Sequence, residues 1–176
     1  MAARGREEQT ENTMVDYVIN VRRVTKVTKG GKRFAFSALV VTGNQNGKIG
    51  VALGKSREVS SAITKATNKA RKNMISVSLR GSTLPYPTVG KHGSSIVVIR
   101  SASKGTGVIA GGAVRSIMEA IGVKDVLAKS LGSGNRLNVV KATLNALAQM
   151  RNLSDIAKLR GKTPEQIMKG SNHAKA

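Results

Sequence analysis

The distribution of charge along the chain constrains its fold and its surroundings more than any other feature. Between Tyr17 and Met118 the sequence has eighteen lysines and arginines but a single acid, Glu58. A segment with so few carboxylates cannot neutralise its own positive field, so a polyanion must do so. Cations that displace condensed counterions from a phosphate backbone gain affinity without reading any base. The pattern therefore predicts a nucleic-acid partner, and a merely soluble, highly charged surface is the alternative.

Composition narrows the class of protein further. Aromatic residues make up 2% of the chain, which argues against a base-stacking platform for single strands. The absence of cysteine excludes disulfides, thiolate zinc sites and cysteine nucleophiles, and it fits a reducing cytoplasm. No apolar run approaches the roughly 20 residues of a membrane helix, and the N-terminus lacks the apolar core of a signal peptide. We therefore expect a cytoplasmic protein with no membrane contact.

The first half of the chain predicts a disordered tail followed by an antiparallel meander. Residues 1–13 are polar and without periodicity, which is typical of a tail. Alternating apolar residues from Val15 to Val21 predict a strand, and a slip in phase near Arg23 predicts a bulge there. Two glycine-containing turns and two further strands follow, with turns at 26–33 and 43–48 and strands at 34–41 and 49–53.

A helix is predicted after the third strand. Ser56 is the expected N-cap, with Glu58 in the first turn, where a carboxylate suits the helix dipole. Lys65, Lys69 and Lys72 recur on one face, and no acid lies at the neighbouring i±4 positions. Such a row is either a solvated face or a phosphate contact, and the missing acids favour the contact. An apolar stripe predicts the face that packs on the sheet, formed by Val59, Ala62, Ile63, Ala66, Ala70 and Met74.

The second half predicts a second, smaller α/β unit. Residues 80–93 hold two of the three prolines and predict a linker between domains at 14–79 and 94–153. Gly122 is the expected C-cap of one helix and Asn135 the expected N-cap of the next. The second unit has a strand at 94–99, a glycine-rich loop at 101–112, a helix at 113–121, a strand at 125–133 and a helix ending near 151. The extension at 154–176 predicts two short helices.

Two glycine-rich motifs resemble nucleotide-binding loops without fitting them. The segment Gly50–Ser56 has three residues between its glycines where a P-loop has four, and no aspartate follows until residue 125. The loop Gly105–Ala110, with Asp125 twenty residues after Gly105, has the outline of a dinucleotide fingerprint. However, Asp125 is expected to begin a strand where the fingerprint acid ends one. A nucleotide-dependent enzyme using Gly105–Ala110 remains one alternative function, and a free RNA chaperone is another.

Catalytic residues are otherwise scarce. His92 lies in the predicted linker and His173 in the C-terminal extension, and neither has an acid close in sequence. The remaining acids are scattered singly, which offers little for paired-carboxylate hydrolysis or a metal site. We expect no enzyme activity, no catalytic residue, no cofactor and no metal ion.

Two long segments carry a resemblance to a known family. The sequences GGKRFAFSALVVTGNQNGKIGVALGKSREVSSAITKATNKARKNM (30–74) and GTGVIAGGAVRSIMEAIGVKDVLAKSLGSGNRLNVVKATLNAL (105–147) resemble bacterial small-subunit ribosomal protein number five. The resemblance implies an α+β protein of two domains. The first is similar to a double-stranded-RNA-binding domain, with a three-stranded antiparallel sheet and a helix, and the second is a small α/β two-layer sandwich.

The resemblance also implies a function and a set of partners. It implies a structural constituent of the small ribosomal subunit that binds ribosomal RNA at the junction of head and body, helps to form the messenger entrance and supports translational accuracy. The hairpin tip 26–33 would lie beside an rRNA helix, where changes are linked to spectinomycin resistance, and Arg22 and Arg23 would lie near the entering messenger. Gly107 and Arg115 would contact ribosomal protein four, and the second domain would contact protein eight, with no homo-oligomer.

The residues expected to contact RNA are therefore those of the hairpin together with the cations of the third strand and the helix. They are Arg22, Arg23, Lys26, Lys29, Gly30, Gly31, Lys32, Arg33, Lys48, Lys55, Arg57, Lys65, Lys69 and Lys72.

Overall fold

The computed structural model describes residues 14–168, and the tail predicted at 1–13 lies outside this range, as do residues 169–176 of the predicted extension. The described chain forms two four-stranded sheets and five helices. The α+β class is confirmed, with an antiparallel first sheet followed by a second small sheet.

The first sheet is the predicted meander with one strand added at its edge. Its strands are β1 (Val15–Thr28), β2 (Gly31–Gly43), β3 (Lys48–Ser56) and β4 (Met74–Ser76), paired in that order and all antiparallel. The strands are longer than their apolar patterns indicated, because their outer halves are exposed and carry polar residues. The three-residue β4 is too short to give a pattern of its own.

The bulge predicted near Arg23 is wrong, because the register shifts between Val18 and Asn20. Tyr17 pairs with Val41 and Asn20 pairs with Leu39, so Ile19 is the extra residue on β1. Beyond this point most residues of β1 are exposed. Its valines therefore do not alternate between a buried and an exposed face, and their spacing does not indicate where the bulge lies.

The helix α1 (Val59–Lys72) covers one face of this sheet through Ala62, Ala66 and Ala70, which are fully buried. Two glycines of β3 permit the close approach. A Cβ at Gly50 would meet the carbonyl oxygen of Ala70, and one at Gly54 would meet that of Ala62. The prediction that Ser56 caps this helix is wrong.

Ser56 is the last residue of β3, where it pairs with Phe36, so the helix begins two residues later than predicted. Glu58 is the N-cap residue rather than a first-turn residue, and its side chain makes no capping hydrogen bond. The sheet ladder therefore extends into the segment that the capping pattern had assigned to the helix start.

The second sheet has the order β5-β6-β8-β7, formed by β5 (Thr88–His92), β6 (Ser95–Ser101), β7 (Val108–Ile109) and β8 (Val126–Gly132). Only β7 and β8 are parallel, as their connection through α2 (Gly112–Ile121) requires. Strand β5 lies within the stretch 80–93 that was predicted to be a linker. The domain boundaries themselves remain a prediction.

The capping residues predicted for the helices of this half are confirmed. Gly122 ends α2 in the left-handed conformation, with φ of 95°, and the Asn135 side chain accepts a hydrogen bond from the Leu137 N–H at the start of α3 (Arg136–Ala148). The two predicted terminal helices are α4 (Leu153–Arg160) and α5 (Pro164–Met168).

One hydrophobic core joins the two sheets. The face of the first sheet opposite α1 presents Leu39, Val41 and Ile49 to the same buried cluster that contains Ile117 and Met118 of α2. Strand β2 is consequently buried on both faces from residue 38 to residue 43. The first sheet is thus enclosed between its own helix and the second half of the chain.

Backbone contacts close this junction. The N–H of Gln45 donates to the Ala120 carbonyl and that of Gly47 to the Ile121 carbonyl, both at 3.0 Å. Gly43 lies directly against Ala120, since a Cβ there would meet the Ala120 carbonyl oxygen. The β2–β3 turn is therefore fixed to the end of α2.

Candidate RNA-binding surface

The β1–β2 hairpin projects a cluster of cations into solvent. The ladder continues to the pair Thr28 and Gly31, which leaves a two-residue turn of Lys29 and Gly30 within the turn predicted at 26–33. Gly31 has φ of 135°, a conformation that a side chain disfavours, and the Thr28 hydroxyl donates to the Gly31 carbonyl at 3.1 Å. The cations of this tip are all exposed, namely Lys26, Lys29, Lys32 and Arg33.

Arg22 and Arg23 lie next to each other on β1 but point to opposite faces of the sheet. The guanidinium carbon of Arg23 lies 3.6 Å from the centroid of the Phe34 ring, a cation–π contact that holds this side chain against the hairpin. Arg22 pairs with Ser37, which pairs in turn with Lys55 on β3. Arg22 and Lys55 therefore share one row on the face opposite α1.

The helix contributes the second group of cations. Lys65, Lys69 and Lys72 are exposed along α1, and Arg57 is exposed in the connection between β3 and α1. Because Ser56 pairs with Phe36 near the base of the hairpin, the helix starts close to the hairpin and runs away from it. Lys48 pairs with Ser76 at the end of the sheet away from the hairpin, where α1 ends. The structure does not bring Lys48 together with the hairpin.

Within residues 14–168 there are two ion pairs, and neither uses a cation that was expected to contact RNA. Arg71 pairs with Asp16 and Arg115 with Glu119, each at 2.8 Å. No carboxylate of the described chain therefore neutralises the hairpin or the lysine row. The surface keeps a concentrated positive field, which attracts polyanions and is screened by salt.

The two residues expected at a protein contact lie between β6 and β8. Gly107 has φ of 78° and ends the loop before β7, and Arg115 is an exposed residue of α2 that pairs with Glu119 one turn later. Both positions are accessible at the surface of the second half, and their assignment to an interface remains a prediction.

The open face of the second sheet was not singled out from the sequence. Val89, Ile109 and Leu131 are each about half exposed on it, and Arg100 and Lys129 lie among them. A signal was present, because alternate residues of β6 are buried at Val97 and Ile99 and the intervening ones must face outward. This face combines apolar and cationic side chains.

The two glycine-rich motifs serve packing and loop structure. Gly50 and Gly54 allow α1 to approach β3, as described above. In the second motif the N–H groups of Gly105 and Gly107 donate to Oδ1 of Asp125 at 2.9 and 3.1 Å, and the Ser82 hydroxyl donates to Oδ2 at 2.9 Å. The carboxylate that a dinucleotide-binding alternative needs for a ribose is thus committed to its own chain.

These hydrogen bonds, that from Gly107 first and that from Ser82 next, hold the pKa of Asp125 below its ordinary value, because they stabilise the charged form. Residues 14–168 contain no group of three or more His, Asp or Glu side chains placed to hold a metal ion. None of the helices in that part of the chain is both long and apolar enough to cross a bilayer.

The fold and its charged surface define a basic α+β protein suited to a polyanionic partner. Two models of known protein families match this chain. A model described as ribosomal protein S5, N-terminal domain, matches residues 14–78, and one described as ribosomal protein S5, C-terminal domain, matches residues 90–160.

Curated relatives agree with the family match. The chain is 52% identical over 155 residues to small ribosomal subunit protein uS5 of Flavobacterium psychrophilum, covering 88% of this chain and 89% of the relative. It is 46% identical over 174 residues to the protein of the same name from Acidithiobacillus ferrooxidans, covering 98% and 99%. The chain belongs to the ribosomal protein S5 family. As a ribosomal protein it works in the ribosome, in the cytoplasm.

Proposed function

We propose that this protein is a structural constituent of the small ribosomal subunit that binds ribosomal RNA through the hairpin and the lysine face of α1. The observation that carries the proposal is the set of exposed cations on these elements that no described carboxylate neutralises. An A-form helix presents phosphates and 2′-hydroxyls rather than readable base edges. Recognition is therefore by shape and charge, with no base-specific contact.

A filter-binding assay with small-subunit rRNA fragments tests this proposal. The double substitution Lys26→Glu and Lys29→Glu places two negative charges on the hairpin and should weaken binding strongly. Lys158→Glu on α4 is the control, because it reverses one lysine charge at an exposed position away from the hairpin. Equal losses for the two variants would refute the assignment of the RNA surface.

The salt dependence of binding gives a second, quantitative measurement. If about eight cations contact phosphates, log affinity against log salt should have a slope of roughly −6 to −7, at ~0.7 per contact for single strands and up to ~0.9 for a duplex. Removing the contacts of Lys26 and Lys29 should reduce the size of that slope by about 1.5. A weakened variant with an unchanged slope would show that the loss arises from altered folding rather than lost phosphate contacts.

The hairpin and the base of β1 are proposed to have separate roles in the particle. The tip would lie beside an rRNA helix at the junction of head and body, where changes are linked to spectinomycin resistance. Arg22 and Arg23 would contact the messenger at its entrance. Their position supports this division, because Arg22 and Arg23 lie six and five residues before Thr28, where the ladder ends, and so are away from the turn.

Protein neighbours are proposed for the second half. Gly107 and Arg115 would contact ribosomal protein four and support translational accuracy, and the second domain would contact protein eight. The open sheet face supports a protein neighbour, because exposed apolar residues such as Ile109 and Leu131 gain more from apolar partners than from phosphates. Sedimentation separates this function from a free RNA chaperone, since a ribosomal constituent co-migrates with small subunits in high salt.

A further inference from the structure

The carboxylate of Asp125 is the only charged side chain among the buried residues of the described chain, being 4% exposed. It lies between α2 and β8, immediately before the strand begins. A buried carboxylate is costly unless its oxygens are hydrogen-bonded. Here three donors satisfy it, namely the N–H groups of Gly105 and Gly107 and the hydroxyl of Ser82.

These bonds belong to a larger junction that joins three segments distant in sequence. The N–H groups of Lys124 and Asp125 both donate to the Ser82 carbonyl, at 2.9 and 3.1 Å. The Thr83 hydroxyl donates to the Asp125 carbonyl at 2.7 Å and accepts from the Ala102 N–H at 3.2 Å. The segment before β5, the glycine-rich loop and the start of β8 are thereby held together.

Apart from Asp125, the loop is held by the N–H and hydroxyl of Thr106, which both donate to the Ser103 carbonyl, and by the Val126 N–H, which donates to the Gly107 carbonyl. Residues 103–106 are exposed, and no neighbouring atom lies within 4 Å of a Cβ built at Gly105 or Gly107. Both glycines have left-handed backbone conformations, with φ of 92° and 78°, and so lie in a region that side chains rarely adopt. A loop of this kind would sample several shapes unless its amides were anchored, and Asp125 anchors two of them.

We propose that Asp125 is a positioning residue, which fixes the 102–107 loop through the amides of Gly105 and Gly107 and so sets the geometry of the protein contact that supports accurate decoding. This inference rests on the proposed role of Gly107. It goes beyond that role because it assigns control of the contact to a buried carboxylate that no neighbouring protein can touch. Ser82 is a second positioning residue, because its hydroxyl donates a hydrogen bond to Oδ2 of Asp125.

Amide hydrogen exchange on the full-length protein tests the structural step directly. In Asp125→Asn the charged acceptor becomes a neutral amide oxygen, which binds the two glycine N–H groups more weakly, so the Gly105 and Gly107 amides should exchange at least about tenfold faster. Ser82→Ala leaves Oδ1 in place and should give a smaller increase at the same two amides. Asp155→Asn makes the same change at an exposed carboxylate on α4 and should leave both amides unchanged.

Stop-codon readthrough in cells that contain only the variant protein tests the functional step. Asp125→Asn should raise readthrough while rRNA-fragment binding at the hairpin stays at the wild-type value. Unchanged exchange at both glycines would overturn the proposal, and so would faster exchange with unchanged readthrough, because the loop would then be positioned without consequence. If Asp125→Asn does not fold, the same two measurements on Ser82→Ala test the proposal: faster exchange at both glycines with raised readthrough supports it, and either result unchanged overturns it. Loss of rRNA binding by the wild-type protein would instead contradict the proposed function itself.

Discussion

Replacing Gly43 by alanine should separate the β2–β3 turn from α2 and destabilise the whole chain. A methyl group at this position would lie against the Ala120 carbonyl and 2.9 Å from the Ala120 Cβ, whereas ordinary van der Waals contacts begin at 3.4 Å. The obstacle is backbone, so the turn and the helix must move apart by roughly 1 Å, and overpacking of this kind costs about 1–3 kcal/mol.

The expected effect on melting can be worked out from the size of the protein. An unfolding entropy of about 2.1 cal/mol/K per residue gives ~0.3 kcal/mol/K for the described chain, so the Gly43→Ala variant should melt about 3–9 °C below the wild type. Because one core joins both sheets, circular dichroism should show a single transition that moves as a whole.

Gly134→Ala is the matched control for this measurement. No atom lies within 4 Å of a Cβ at Gly134, and its backbone is outside the left-handed region. Its stability should stay within about 0.5 kcal/mol of the wild type. Equal melting temperatures for Gly43→Ala and Gly134→Ala would refute the inference that the turn is packed tightly against α2, and two separate transitions would refute the shared core.

Two further predictions concern the second half. Arg115→Leu removes an exposed cation and its pair with Glu119, so it should raise stop-codon readthrough with rRNA affinity nearly unchanged; unaltered readthrough would count against its place at the protein contact. Asp125 has a pKa lowered by folding, so it stabilises the folded state above the ordinary carboxyl pKa, and this contribution is lost as pH falls through the lowered value. The Gly107 amide shift should therefore titrate with a midpoint below about 3.9, and a midpoint at or above that value would contradict the hydrogen bonding described.

Features set by neighbouring residues were predictable from the sequence. Asn135 and Gly122 delimit their helices by local backbone chemistry, and the Lys29–Gly30 turn follows from the residues that form it. The alanines of α1 were also placed correctly, because helical spacing and the need to cover a sheet coincide at Ala66.

Features set by distant partners were not predictable. Ser56 is a good capping residue in isolation, but its pairing with Phe36 extends the strand through it. The spacing of Gly105 and Asp125 is visible in the sequence, but the hydrogen bond from Ser82 to the Asp125 carboxylate is not, because Ser82 lies 43 residues before the aspartate. For the RNA surface, the sequence indicated which cations lack acidic neighbours, and the structure places Lys48 at the end of the sheet away from the hairpin. Which phosphates these cations meet depends on a partner that the chain alone does not contain.

The enclosure of the first sheet has a consequence for how the protein is made. Helix α2 ends at Ile121, 65 residues after β3 ends at Ser56. At roughly 5–20 residues per second, the ribosome takes about 3–13 s to add that interval. During this delay α2 is not yet available to cover Leu39, Val41 and Ile49 of the nascent sheet. Newly made protein in this interval should be the form most prone to aggregation, and hence the one with most need of a molecular chaperone.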